Sequence, residues 1–192
     1  MVSVTLPVRI TVCGFAELAD HCGGSISHVL SILDPDAPVP SELGSFPEQH
    51  RLELRFHDII EPEPGRYPPE PRHIERLLAL GRDILARSAE HTRLLIHCHA
   101  GFSRSPAALV LLLAQADPLL SAQSIAAEVL RIRPTAWPNL RMIELGDCML
   151  YRRGELVEAA SRIYRYRLAQ EPGLADMIIA NGRAREVEAG RG

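Results

Sequence analysis

The order of the predicted elements indicates an α/β fold, with a central, mainly parallel sheet of about four to five strands flanked by helices. Three observations support this prediction. Runs typical of strands alternate with helical periodicity in the first half of the chain, and the second half is almost entirely helical in pattern. The run LLIHC at 94–98 is short and apolar, which is typical of a strand buried on both faces.

Short apolar or β-branched runs predict the strands, which we place at 4–12, 26–33, 51–56 and 94–98. A short helix is expected over 15–22, where Gly23 and Gly24 end it. Residues 61–71 contain five prolines in eleven positions, which excludes regular structure and stiffens the loop.

Helical periodicity predicts five longer helices, at 73–86, 105–116, 121–132, 139–152 and 155–169. Ser121 is a suitable N-cap for the third of them. The last residues, NGRAREVEAGRG, are polar and glycine-rich, so we expect them to fray. The chain is therefore expected to form a single domain over 1–170, followed by a C-terminal extension over 171–192 whose last part is flexible.

Composition limits the classes of partner. The formal net charge of the 192 residues is −3, so no overall attraction to nucleic acid or to an anionic membrane is expected. The start of the chain lacks a basic leader and no apolar run approaches the length of a membrane span, so we expect a cytoplasmic protein. All 21 basic residues are arginine, which leaves no lysine for Schiff-base chemistry. The oligomeric state stays open.

Cys98 differs from the other cysteines in its position. The four cysteines show no C-x-x-C spacing, so reduced thiols are expected. Cys13, Cys22 and Cys148 lack the setting of a reactive thiol and are expected to pack in the core. Cys98 instead ends a predicted buried strand, which is where ligands bind in open parallel sheets. A short polar loop, 99–104, separates it from the next predicted helix.

That loop has the features of an anion cradle. Gly101 permits a tight backbone path, and the loop amides can turn inward beside the N-terminus of the following helix. Pro106 suits the first turn of that helix. Arg104 adds a planar guanidinium that can grip two phosphate oxygens. Because these groups also favour thiolate over thiol, Cys98 is expected to be a nucleophile aimed at phosphorus.

The sequence also predicts roles for three residues near Cys98. Ser105 could hydrogen-bond the sulfur and ease its departure as a leaving group. His97 could hold the loop through its ring nitrogens. His99 could touch the substrate, although a solvated or loop-supporting imidazole fits its position equally well.

The segment HCHAGFSRS at 97–105 resembles the H-C-x-x-G-x-x-R-[ST] signature of the cysteine-based protein tyrosine phosphatases, and its ending looks most like the dual-specificity branch. RPTAWPN at 133–139 is similar to an R-P-x-x-x-P-N element of that branch. The resemblance implies a bacterial-type member, with a phosphate loop between a central strand and a helix. It gives Cys98 as nucleophile and, as substrate-binding loop, His99, Ala100, Gly101, Phe102, Ser103 and Arg104. Trp137 and Asn139 would buttress this loop from behind.

Cleavage of a phosphomonoester also needs a proton for the leaving oxygen, and a carboxylic acid near the cradle is the usual donor. The candidates are Asp58, Glu61 and Glu63. Asp58 follows the strand at 51–56, whose end is expected at the same sheet edge as Cys98, and it resembles the general acid of the family. Asp34 and Asp36 are expected either at the rim of the pocket or in a turn.

Together these features predict a phosphatase that hydrolyses phosphotyrosine in proteins through a cysteinyl-phosphate, and also phosphoserine or phosphothreonine if the pocket is shallow. The reaction requires no metal and no cofactor. The partner is a phosphorylated protein or a small phosphorylated molecule. Two alternatives stay open: a phosphatase acting on a phosphoinositide or another small phosphate, and a phosphate-binding module without turnover. A redox function would need a resolving cysteine or a different loop, and Cys13 or Cys22 could serve only if folding brings one of them close to Cys98.

Overall fold

A parallel sheet lies at the centre of the structure, with the strand order β1-β4-β2-β3. The computed structural model describes residues 8–22, 25–46, 48–87 and 92–192. Within them the strands are β1 (Arg9–Cys13), β2 (His28–Leu33), β3 (Arg51–Arg55) and β4 (Arg93–His97). All three pairings are parallel, which confirms the predicted fold class. The first residues of the predicted strand 4–12 lie outside the described residues, as do Gly23 and Gly24.

The helices of the described part are α1 (Pro71–Ala86), α2 (Arg104–Ala116), α3 (Ala122–Ile132), α4 (Leu140–Met149), α5 (Glu155–Gln170), α6 (Leu174–Ala180) and α7 (Ala184–Arg191). The Ser121 hydroxyl accepts the amide of Ser124 as the predicted N-cap of α3. Helix α4 ends three residues earlier than predicted, because Tyr151 and Arg153 have positive φ angles in the turn before α5. None of these helices is both long and apolar enough to cross a membrane.

The two faces of the sheet are covered differently. One face packs on α2, whose side chains are buried along almost the whole helix, and on the other helices around it. The opposite face is covered by short 3₁₀ segments, Phe15–His21 and Ser41–Ser45, through Leu18 and Leu43. Strand β4 serves both layers, which explains why its sequence is apolar at consecutive positions.

The C-terminal segment differs most from the sequence expectation. Where the sequence predicts a C-terminal extension over 171–192 with a frayed last part, the structure has helices α6 and α7, and α7 packs against α5. The reason is a set of apolar side chains that become buried there: Leu174, Ala175, Ile178 and Val187. Residues 174–191 therefore belong to the same hydrophobic core as the sheet.

The four cysteines are all free, and the surroundings of Cys13, Cys22 and Cys98 agree with those predicted from the sequence. Cys13 and Cys98 are buried and Cys22 is half-buried. Cys148 is exposed rather than packed in the core, because the buried residues of α4 are those at 140, 142, 143, 146 and 147, which leaves position 148 outside the buried stripe.

The register of the strands brings their carboxyl ends to one edge. Cys13 pairs with His97, Ser31 also pairs with His97, and Leu33 pairs with Arg55. The residues that follow these strands therefore meet at this edge, as is usual for ligand sites in parallel sheets.

Candidate active site

Cys98 lies immediately after β4, at the base of the loop that leads into α2. The residue is only 2% exposed, and its sulfur lies 3.1 Å from the hydroxyl of Ser105 in the first turn of α2. This is the contact that the sequence predicts between the two side chains. The thiol is thus held in a buried position, with a hydroxyl as its near neighbour.

The carbonyl groups of the loop point away from the thiol, because each is bound by a donor behind it. The donors are the Phe15 amide for His99, the Arg133 guanidinium for Ala100 and Gly101, the Trp137 amide for Phe102 and the Asn139 amide for Ser103. Because the carbonyls accept hydrogen bonds on the outer side of the loop, the amides are directed toward its concave side. This is the geometry of an anion cradle. Trp137 and Asn139 stand behind this loop, where the sequence predicts them.

Two glycines allow the loop to approach the end of β1. Gly101 has φ +65°, and a Cβ there would lie 2.6 Å from the carbonyl carbon of Cys13. A Cβ on Gly14 would lie 2.8 Å from the carbonyl carbon of Ala100. No side chain fits at either position without a backbone shift. The role of Gly14 is not apparent from the sequence, because it depends on a contact between distant loops.

Arg104 is buried and fixed at one end of its guanidinium. Its Nη1 donates to Asp34 Oδ1 at 2.6 Å and to the carbonyl oxygen of Phe56 at 2.7 Å. Its Nε has no hydrogen-bond partner among the described residues. Arg104 therefore keeps donor capacity for an anion in the cradle. Asp34 lies at the rim of the site, and Asp36 is exposed outside it.

Asp58 is the acid candidate that reaches the site. Its Oδ1 accepts the Ser103 hydroxyl at 2.8 Å and the Asn139 amide nitrogen at 2.9 Å, and its Oδ2 accepts Arg183 Nη1 at 3.3 Å. Burial opposes ionisation of this carboxyl, but the charges of Arg183 and Arg104 and the two neutral donors outweigh burial and lower the pKa of Asp58. The free site thus holds Asp58 as a carboxylate.

Glu61 and Glu63 lie elsewhere. Glu61 pairs with Arg185 at 2.6 Å, and Glu63 pairs with Arg66 at 2.8 Å, both on the surface. Neither glutamate lines the cavity that contains Cys98. Of the three acid candidates in the sequence, the structure brings only Asp58 to the thiol.

The two histidines of the motif have different surroundings. His97 is completely buried, and burial lowers its pKa to about 4. Its ring nitrogens have no hydrogen-bond partner in the described part of the chain, and the ring packs against Phe15 at a centroid distance of 5.6 Å. The ring thus lies in the core, and support of the loop through its nitrogens stays a prediction. His99 is exposed, lines the cavity and packs edge-on against Phe15.

The cavity above the loop has a volume of about 520 Å³, and one of its walls comes from the C-terminal segment. Four residues of this segment line it: Met177, Ile178, Asn181 and Arg183. The sequence analysis does not predict this wall, because it treats 171–192 as an extension outside the domain. A signal is present nonetheless, since Leu174, Ala175 and Ile178 have helical spacing and Asn181-Gly182 is typical of a helix end, with Gly182 at φ +73°.

Comparison with solved structures places this geometry in a known fold. The chain is similar to Tk-PTP in its active form, with 24% identity over 78% of this chain and 95% of that chain and a TM-score of 0.52. The chain has the fold of the cysteine-based phosphatases. The PTP-2 phosphatase of Cydia pomonella, at 20% identity, aligns over 74% of this chain and 84% of that one with a TM-score of 0.56.

A further solved structure with this phosphatase fold is PTPMT1 in complex with PI(5)P, at 12% identity over 76% of this chain and 94% of that one, with a TM-score of 0.53. No protein-family model and no curated protein matches the chain. The phosphatase fold agrees with the resemblance seen in the sequence and with the strand, loop and helix that hold Cys98.

Proposed function

We propose that this protein hydrolyses phosphomonoesters through a cysteinyl-phosphate, and that phosphotyrosine in proteins is its substrate. One observation carries the proposal: Cys98 lies at the base of a loop whose carbonyls are all bound from outside, with Arg104 and Asp58 lining the same cavity. A nucleophile, an anion cradle and a carboxyl group are the parts that this chemistry needs.

In the first step the Cys98 thiolate attacks phosphorus, and the bond from phosphorus to the ester oxygen breaks. The loop amides and Arg104 hold the remaining phosphoryl oxygens, where charge develops in the transition state. The negative charge of the bound phosphate favours protonation of Asp58, which takes up a proton from solvent and gives it to the departing oxygen, so that this oxygen leaves as the alcohol or phenol. The products are the cysteinyl-phosphate and the Asp58 carboxylate.

In the second step the Asp58 carboxylate takes a proton from water, and the water oxygen attacks phosphorus. The bond between sulfur and phosphorus breaks, and Cys98 leaves as a thiolate that the Ser105 hydroxyl can stabilise by a hydrogen bond. Phosphate is released, Cys98 is again a thiolate and Asp58 again carries a proton, as both did at the start of the first step.

The walls of the cavity support an aromatic substrate. Phe102 and Met177 offer apolar surface above the cradle, and the volume of about 520 Å³ has room for a phosphorylated phenol ring. A second candidate is a phosphoinositide, which is supported by Arg66 in the cavity wall and by the likeness to PTPMT1, whose structure holds PI(5)P.

The test is hydrolysis of 4-nitrophenyl phosphate by the wild type and by Cys98→Ser, Arg104→Ala and Asp58→Ala. We expect turnover by the wild type, none by Cys98→Ser and a large loss in Arg104→Ala. Cys148→Ser is the matched control, since this thiol is exposed and remote from the motif, and it should retain the wild-type rate.

Wild-type rates in Cys98→Ser would contradict the mechanism. Binding of phosphopeptides without turnover would favour the binding module instead. Panels of phosphopeptides and of phosphoinositides in vesicles then separate the two substrate classes.

A further inference from the structure

The C-terminal segment touches the acid candidate through one side chain, Arg183, which lies between α6 and α7. Its Nη1 lies 3.3 Å from Asp58 Oδ2, and its Nη2 donates to the Ser103 hydroxyl at 2.8 Å. Ser103 in turn donates to Asp58 Oδ1. Arg183 thus supports both oxygens of the carboxylate, one directly and one through the hydroxyl.

Arg183 is itself held rigidly from behind. Its Nη2 donates to Glu186 Oε1 at 2.8 Å, and the Glu186 side chain is completely buried. Glu186 also accepts the Trp137 indole nitrogen at 2.5 Å and the Leu140 amide at 2.9 Å. The guanidinium is 6% exposed, whereas the Asp58 side chain keeps 28% of its surface open. The supporting charge is therefore buried, and the carboxyl group that it supports faces the cavity.

The donors to Asp58 are unequally divided between its two oxygens. Ser103 and Asn139 both donate to Oδ1, and among the described residues Arg183 is the donor to Oδ2. Rotation of the carboxyl group about its final side-chain torsion has a broad energy profile and moves both oxygens, so donors on Oδ1 and on Oδ2 restrain it together. A third donor on the other oxygen fixes the plane of the group.

We infer that Arg183 is a positioning residue that holds Asp58 in the orientation needed to deliver its proton to the leaving oxygen. This inference rests on the proposed function. Arg183 acts through Asp58 and Ser103, and no step of the reaction places it on the substrate. A small misplacement of a catalytic group is costly, because proton transfer needs hydrogen-bond geometry at the leaving oxygen.

The neighbouring arginine of α7 makes a different kind of contact. Arg185 is half-exposed and pairs with Glu61 and Glu144 on the surface. Both arginines tie α7 to the rest of the fold, but only Arg183 touches Asp58. Arg185 therefore offers a control for the general loss of an ion pair from this segment.

The experiment compares two aryl phosphates that differ in their need for an acid. 4-Nitrophenolate leaves readily without a proton, whereas phenolate does not. Loss of the general acid should therefore slow the hydrolysis of phenyl phosphate far more than that of 4-nitrophenyl phosphate. The variant is Arg183→Met combined with Glu186→Gln, which avoids leaving the buried Glu186 charge without its partner. Arg183→Lys is measured beside it, as a variant that keeps the charge and so limits any folding defect.

In both Arg183 variants we expect kcat for phenyl phosphate to fall by about 10²-fold and kcat for 4-nitrophenyl phosphate to fall by less than about tenfold. Arg185→Met should lower neither. In an Asp58→Asn background, the Arg183 substitutions should have little further effect, because the acid that they position is gone.

Equal losses on the two substrates, or full additivity with Asp58→Asn, would overturn the inference while leaving the proposed function intact. If the double variant unfolds, the substrate ratio of Arg183→Lys decides in the same way. A wild type without activity on either phosphate would instead overturn the proposed function and this inference with it.

Discussion

The hydroxyl of Ser105 lies 3.1 Å from the sulfur of Cys98. A hydroxyl in this place can donate a hydrogen bond to a sulfur that carries negative charge, both before attack and when the sulfur leaves. In the covalent intermediate the sulfur is bonded to phosphorus and no longer carries this charge, so the hydrogen bond is lost or weak. The contact should therefore matter most for release of the thiolate.

Replacement of Ser105 by alanine should slow hydrolysis of the cysteinyl-phosphate more than its formation. A hydrogen bond to a charged group contributes roughly 1.5–3 kcal/mol, so the second step should slow by about 10- to 100-fold. Rapid-mixing measurements with 4-nitrophenyl phosphate should then show a burst of nitrophenol followed by a slow steady state. Ser105→Thr keeps the hydroxyl and should show neither change, and a missing burst in Ser105→Ala would count against this role.

Acid should destabilise the protein through His97. Burial lowers its pKa from 6.5 to about 4, so the unfolded chain binds this proton more readily than the folded protein does. The stability from His97 is complete above the unfolded value and is lost as the pH falls from 6.5 to about 4. The loss amounts to about 3 kcal/mol.

Urea unfolding across this pH window measures the effect. In His97→Gln the free energy of unfolding should depend less on pH, whereas His99→Gln, at an exposed position of the same loop, should retain the wild-type dependence. An unchanged slope in His97→Gln would refute the assignment.

Gly101→Ala should destabilise the protein and abolish turnover. The added Cβ would lie 2.6 Å from a backbone atom, and the residue also has a positive φ. Gly154 is the control that separates the steric contact from the effect of the positive φ angle. It has φ +93°, but a Cβ added there would meet nothing within 4 Å. Gly154→Ala should cost about 1–2 kcal/mol for the backbone conformation alone, and Gly101→Ala more. Thermal melting compares them, and equal losses would show that the contact with Cys13 is unimportant.

Met177→Ala should raise KM for aryl phosphates. Met177 lines the cavity while 47% of its surface is open, so loss of its side chain removes part of an apolar wall. Loss of about 1 kcal/mol of contact corresponds to about a fivefold rise in KM. Ile179 is 45% exposed on the same helix but does not line the cavity, so Ile179→Ala is the control. Inhibition by inorganic phosphate should be the same in all three proteins, since phosphate needs only the cradle.

The parts of the site that the sequence predicts are those set by local structure. Cys98, Gly101, Arg104 and Ser105 belong to one strand, loop and helix, so their spacing alone brings them together. Asp58 could be predicted because parallel strands end at the same sheet edge. Both predictions rest on neighbouring residues, on the direction of the strands and on the resemblance to the phosphatase family.

Arg183 could not be predicted in this way. It is 125 positions from Asp58 in the sequence, and α6, α7 and the buried Glu186 bring it there by tertiary packing. The burial of His97 could not be predicted for a related reason, because the sequence does not show that its ring faces the core. Local pattern thus indicates Cys98 and its loop, whereas the surroundings of Asp58 depend on the whole fold.

The outward carbonyls of loop 99–103 have a consequence for the end of the reaction. Their donors belong to the protein itself, so the loop is preorganised before any ligand enters and binding spends little free energy on ordering it. Such a loop accepts the tetrahedral oxyanion that remains after hydrolysis almost as well as it accepts the ester. Inorganic phosphate should therefore compete with substrate, and the rate of turnover in a cell should fall as free phosphate accumulates.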